Sequence, residues 1–209
     1  MKERKISGAV IRRLPHYLRV LSTMAEEGTE RISSGELSER IGYTASQIRQ
    51  DLNHFGGFGQ QGYGYNVKDL KDEIEKILGL NNKHSVIFIG CGRLGQAVAN
   101  FIITSQPSYE VKAIFDIRED LVGTKFQGVD ILHESTLKDY LKEHNVDIAV
   151  LTVPTELAQR VADDLACGGV LGIWNFAATD LKIPDSIQVN NVHLSDNLHA
   201  LTYYINHGE

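Results

Sequence analysis

The segment SVIFIGCGRLGQAVANF, Ser85–Phe101, passes from an apolar strand pattern through a glycine turn into a helix. Gly90-x-Gly92-x-x-Gly95 sits at the joint, and that context lifts the motif above chance. The first glycine turns the chain, the second lets backbone N–H groups approach a pyrophosphate, and the third lets helix and strand pack closely. The helix that follows points the positive end of its peptide dipoles at the same anion. Gly90, Cys91, Gly92, Arg93, Leu94 and Gly95 are therefore the expected dinucleotide loop. The next strand pattern, VKAIFD, ends in Asp116, 21 residues beyond Gly95. A carboxylate there accepts from both ribose hydroxyls and repels a 2′-phosphate, which favours NAD(H) over NADP(H). Arg118, two residues further on, is the nearby cation that argues the other way.

Downstream, short β-rich runs (GVDIL, DIAVLTV, GVLGIWNF) alternate with helical patterns, as in a parallel sheet with crossover helices. Ligands of such sheets sit at the carboxyl ends of the strands. Val153 and Pro154 after DIAVLTV, and Asn175 and Phe176 after GVLGIW, are the expected nicotinamide-side residues. Cys91 reads chiefly as a small loop residue, although a helix start can also lower a thiol's pKa. A final segment, VHLSDNLHALTYYINHGE, places Leu194, Leu198, Leu201 and Ile205 at helical spacing.

Upstream lie about 80 residues of different character. Ser33-x-x-Glu36 and Thr44-x-x-Gln47 are two capping-box patterns eleven residues apart, which predict two short helices joined by a tight turn. In the second helix Ala45, Ile48, Leu52 and Phe55 share an inward face. Ser46, Gln47, Arg49, Gln50 and Asn53 project from other faces and can reach phosphates or base edges in a major groove. GGFGQQGYGYNV follows, with five glycines in residues 56–64, and reads as a β-hairpin wing carrying Gln60, Gln61 and Tyr63. Arg12 and Arg13 on the preceding helix, with Ser33, Ser34 and Thr44 at the helix starts, complete the expected DNA contacts. An amphipathic helix, VKDLKDEIEKILGL, then stops at Gly79 ahead of a short linker.

Bulk properties agree with a binding domain joined to an acidic one. The net charge is −6, but residues 1–60 hold nine Lys/Arg against seven Asp/Glu, while residues 81–209 hold nine against sixteen. Two cysteines are too few for a disulfide framework and fit a reducing cytoplasm. No apolar run approaches the ~20 residues of a membrane span, and the basic start lacks the apolar core of a secretory signal. The alternative function is an NAD-dependent dehydrogenase with an N-terminal binding domain. Against it, about 20 residues follow the last strand pattern, too few for a substrate domain, and no catalytic residue stands out. His193, His199 and His207 lack metal-ligand spacing, so no metal is expected.

Taken together, SSGELSERIGYTASQIRQDLNHFGGFGQQGYGYNV, IGCGRLGQAVANF, IFD and NFA make the whole chain resemble the Rex family of redox-sensing transcriptional repressors. The resemblance implies an α/β protein in three parts. These are an N-terminal winged helix-turn-helix domain over 1–80, a Rossmann-type parallel sheet domain binding NAD(H) over 81–190, and a C-terminal helix over 191–209 that is domain-swapped in a homodimer. It implies a repressor, not an enzyme, whose apo or NAD+ form holds operator double-stranded DNA and which NADH releases. Two regions depart from the family pattern. Gln50 and Gln60-Gln61 replace basic residues, which implies fewer phosphate contacts. In the switch region Phe101 replaces a tyrosine and His193 an aspartate that pairs with the arginine matching Arg93, beside Leu194 at the start of the last helix.

Overall fold

The computed structural model describes residues 6–55, 59–60 and 63–208. They form two compact units, Met1–Asn82 and Lys83–Glu209.

In the first unit, α1 (Gly8–Glu26) is followed by β1 (Arg31–Ile32), α2 (Ser34–Ile41), α3 (Ala45–Asn53), β2 (Gly59–Gln60), β3 (Gly64–Asn66) and α4 (Val67–Ile77). The three strands form an antiparallel sheet in the order β1-β3-β2. β1 had no signal of its own in the sequence, because two residues carry no readable period. The helix starts follow the capping patterns, with one difference. At α2 both halves of the box form: Ser33 Oγ accepts from the Glu36 N–H, and the Glu36 carboxylate accepts from the Ser33 N–H. At α3 only the Thr44 hydroxyl accepts, from the Gln47 N–H, so the second box is half a box. Gly42 closes α2 at φ +81°, where a side chain would be strained. Leu14, Tyr17, Leu21, Leu37, Ile48, Leu52, Leu70 and Ile74 meet in one buried cluster, so α3 is held by its inward stripe as its spacing predicts.

The second unit alternates β4 (His84–Ile89), α5 (Arg93–Ser105), β5 (Tyr109–Asp116), β6 (Lys125–Phe126), β7 (Val129–His133), α6 (Leu137–Glu143), β8 (Ile148–Leu151), α7 (Thr155–Cys167), β9 (Gly172–Asn175), β10 (Gln188–Asn191) and α8 (Leu194–His207). The seven strands run β10-β9-β8-β4-β5-β7-β6, parallel throughout except for β6, which pairs antiparallel with β7. The chain leaves the central β4 toward β5 on one side and resumes at β8 on the other. This reversal opens a crevice at the strands' carboxyl ends, where the glycine loop lies. One sheet face packs Ile87, Ile89, Phe115 and Leu151 against α6 and α7, and the other packs Val86, Phe88 and Ile114 against α5. The polar run QVNN of β10 gives no strand signal and pairs only because β9 offers it an edge. α8 has no buried residue. No described helix is long and apolar enough to cross a membrane.

Candidate functional site

The glycine loop has the geometry its sequence predicts, and each glycine does different work. Gly90 takes φ +100°, and a Cβ there would lie 2.5 Å from the Thr152 carbonyl oxygen. Gly95 lies under the same turn, where a Cβ would overlap the Gly90 carbonyl oxygen and press on Thr152 Oγ1. A Cβ on Gly92 would meet nothing within 4 Å. Gly90 and Gly95 are thus demanded by the protein's own packing, whereas Gly92 keeps open a space that the protein leaves unfilled. Gly92 is also the N-cap of α5, and no side chain caps that helix, so its first N–H groups remain available to an anion. An uncapped helix start, an open glycine and a carboxylate at the end of β5 fit a dinucleotide.

Asp116 is buried at the end of β5, with its Oδ2 accepting the Cys91 N–H at 2.6 Å and its Oδ1 accepting the Arg118 N–H at 2.9 Å. Burial pushes its carboxyl up, but these backbone donors and the Arg118 guanidinium outweigh burial and hold it below the usual carboxylate range. It is therefore an anion at neutral pH. The Arg118 guanidinium is itself engaged, by Asp116 Oδ1 at 3.2 Å and the Cys91 carbonyl at 2.7 Å. Gly90, Gly92, Asp116, Arg118, Val153 and Pro154 line a common cleft of about 210 Å³. Thr152, Ile117 and Glu134 line it too and were not named from the sequence. Thr152 donates from Oγ1 to the Gly90 carbonyl at 2.8 Å and so fixes the turn. The sequence hides this because Thr152 reaches the loop only through the pairing of β8 with β4.

Two expected members are placed elsewhere. Asn175 is fully buried and used up internally: its Nδ2 donates to the Thr179 carbonyl and to Asn191 Oδ1, and its Oδ1 accepts from the Ala177 N–H. It braces the end of β9 and does not line the cleft. Phe176 packs against Trp174, ring centroids 4.7 Å apart, on the α5 side of the sheet. Cys91 is buried, and burial pushes its thiol up rather than down, so the helix start does not make it a reactive thiolate. Arg93, Leu94 and Phe101 are exposed on α5, with Arg93 and Phe101 two turns apart on one face. Phe101, Ile102, Tyr109, Ile148 and Trp174 line a second, apolar cavity of about 310 Å³. His193 precedes α8, and its Nε2 lies 3.2 Å from Asp180 Oδ1 in its own chain. Its carboxylate neighbour therefore belongs to its own chain.

On the first unit, Ser46, Arg49, Gln50 and Asn53 line an open concavity along α3, whereas Gln47 is half-buried and does not line it. Arg49 Nη1 donates to Ser34 Oγ at 2.7 Å, which ties α3 to the start of α2 and orients the guanidinium. Ser33 and Thr44 serve as helix caps. Arg12 and Tyr63 are exposed, and the Tyr63 carbonyl accepts from Arg31 Nη1 at 3.3 Å. Gln60 lies on β2, and Gln61 falls outside the described residues. Arg13 is a correction: it is not a free phosphate contact. Its Nε and Nη2 grip Asp51 at 2.6 and 2.7 Å, and the Tyr17 hydroxyl donates to the same carboxylate at 2.6 Å. Asp51 is buried on α3, a placement its charge does not suggest. His54 also lines the α3 concavity and was not named from the sequence. Among the described residues no cluster could hold a metal ion.

Comparison with known proteins agrees with both halves. Residues 5–53 match the family model "Putative DNA-binding protein N-terminus", and residues 81–179 match "CoA binding domain". The chain is 52% identical to the redox-sensing transcriptional repressor Rex of Clostridium botulinum, covering 100% of this chain and 99% of the relative. It is 51% identical to Rex of Clostridium tetani over the same shares. Among solved structures, RSP, a Rex-family repressor, in complex with β-NAD+ and operator DNA is 48% identical. It superposes with a TM-score of 0.91, covering 97% of this chain and 94% of that one. RSP in complex with β-NADH is 45% identical with a TM-score of 0.90, covering 98% and 96%.

Proposed function

The chain belongs to the Rex family of redox-sensing transcriptional repressors, and from that premise we propose that it holds operator DNA as a homodimer and lets go when NADH occupies the cleft between Gly90 and Asp116. It is a regulator and not an enzyme: its relatives across the full length are transcriptional repressors. The observation that carries the reading is that one chain joins an open-glycine dinucleotide cleft to a separate unit presenting the exposed side of α3. We divide it into a winged helix-turn-helix domain over 1–80, a Rossmann-type domain over 81–190 and a dimer-forming helix over 191–209. Such a regulator works in the cytoplasm, where operator DNA and the NAD(H) pool meet.

In the cleft, Gly92 gives the pyrophosphate its approach, the first turn of α5 supplies N–H donors, and Asp116 accepts from the adenosine ribose. A bound dinucleotide brings a nicotinamide ring that is cationic when oxidised and neutral when reduced. Val153 and Pro154 offer that end of the cleft an apolar wall, which disfavours the cation and favours the neutral ring. A ligand shifts an equilibrium only by its differential affinity for the two states, so a redox sensor must bind NADH better in its DNA-free form. Titrating the DNA-bound protein with NADH and with NAD+, followed by fluorescence anisotropy, tests the reading. Release by NADH at concentrations where NAD+ leaves the complex intact is the expected result. Equal release by both overturns it.

A further inference from the structure

We propose that His54 extends the DNA-contacting face of α3 and adds a phosphate contact that forms only when its ring is protonated. This rests on the operator-binding reading above and adds to it a residue and a proton. Ser46, Arg49, Gln50, Asn53 and His54 fall at i, i+3, i+4, i+7 and i+8 along α3 and its C-cap, which is one continuous helical stripe. All five line the same open concavity, and His54 is exposed. The opposite side of the helix, Ile48, Asp51 and Leu52, is buried. The ring therefore stands on the side of α3 that faces away from the core.

The hydrogen bond at its other nitrogen decides what the ring can do. His54 Nδ1 lies 2.7 Å from the Gln50 carbonyl oxygen. A carbonyl only accepts, so Nδ1 carries a proton in both charge states. In the neutral ring Nε2 is then an acceptor only, and a phosphate oxygen, which also only accepts, cannot bond to it. Once protonated, Nε2 becomes a charged donor, the partner a phosphate oxygen requires. Asp51, one turn back on α3, is held by Arg13 and Tyr17 of α1, and Arg49 shares the concavity. Phosphate binding and proton uptake at Nε2 are consequently linked, and operator affinity falls as pH rises and the ring loses its charge.

The test compares the full-length wild type with His54→Gln and His54→Lys. The probe is a duplex selected from a randomised pool by the wild type, and anisotropy is read at pH 6 and pH 8, with constant ionic strength and saturating NAD+. The wild type is expected to gain roughly fivefold more affinity on going to pH 6 than His54→Gln does, consistent with one charge-assisted contact. His54→Lys, charged at both values, should bind at pH 8 as tightly as the wild type does at pH 6. Its salt slope should exceed that of His54→Gln by about one phosphate, ~0.9. A duplex-bound wild type with the same pH ratio as His54→Gln overturns this inference alone. A wild type that retains no duplex at either pH overturns the operator reading as well.

Discussion

Gly92 and Gly90 stand two residues apart in one loop, yet a methyl group added to each meets opposite surroundings. At Gly92 it meets open space, and at Gly90 it meets the Thr152 carbonyl oxygen at 2.5 Å on a backbone with φ +100°. Gly92→Ala should therefore melt like the wild type but lose at least about tenfold in NADH affinity by calorimetry, because the methyl fills the pyrophosphate's approach. Gly90→Ala should cost stability itself, about 2 kcal/mol or more, seen as a lower melting temperature without ligand. A Gly92→Ala protein with unchanged NADH affinity would show that the open space has another purpose. Asp116→Ala should lower NADH affinity by about ten- to hundredfold, the worth of one or two charge-assisted hydrogen bonds, and narrow the preference for NADH over NADPH. These roles were legible because glycine spacing and a carboxylate at the next strand end are local signals. Asn175 was not, because its partners Thr179 and Asn191 are brought to it by β9 and β10, and nothing in NF marks the side chain as a brace.

The orientation of α3 depends on α1 as well as on its own caps. The Arg13 guanidinium bonds Asp51 through two atoms, Tyr17 adds a third contact, and the carboxylate is almost wholly buried. A charge removed from water in this way is tolerable only while paired. Burial pushes the Asp51 carboxyl up, but Arg13 and Tyr17 more than reverse it and leave the group below its ordinary value. The sign of the pH dependence follows. The pair's contribution is complete above the unfolded carboxylate's pKa, about 4, and fades as pH falls through the lower folded value. Asp51→Asn should cost about 2–3 kcal/mol at pH 7, somewhat below a fully buried pair because Arg13 retains some exposure. Hydrogen exchange of the α3 amides measures this directly. The variant should also lose less stability than the wild type between pH 5 and pH 3, and equal losses would place the acid sensitivity elsewhere. Helix periodicity revealed that α3 has an inner face, and the capping patterns gave its start. Neither could reveal that the inner face contains a charge, because the partner lies 38 residues earlier on another helix.

For the molecule as a whole, α8 is the element without a home. Leu194, Leu198, Leu201, Tyr204 and Ile205 are all more than half exposed, and no residue of the helix is buried. A fourteen-residue helix with this much bare apolar surface is marginal on its own in water. The apolar spacing of its leucines was plain in the sequence, but periodicity shows only that a helix has an apolar face and never what covers it. The homodimer proposed above would supply the cover, each copy's α8 packing on the other copy. It also determines affinity, because two α3 helices tied together engage two half-sites at a high effective concentration, whereas a single copy engages one. Ending the chain before Leu194 should therefore leave both units folded while converting the protein to a monomer in sedimentation velocity. Operator affinity should fall by about a hundredfold or more, while the Gly90–Asp116 cleft, whose lining residues all precede Leu194, should still take up a dinucleotide. A truncated protein that still sediments as a dimer would assign the interface to another surface, with the exposed α5 face of Arg93 and Phe101 the first to test. Under the proposed homodimer, the helix that joins the two copies is also the route by which nucleotide binding in one second unit would reach its partner. NADH should then bind the truncated monomer without weakening its residual hold on DNA, a loss of coupling that anisotropy with and without NADH would read directly.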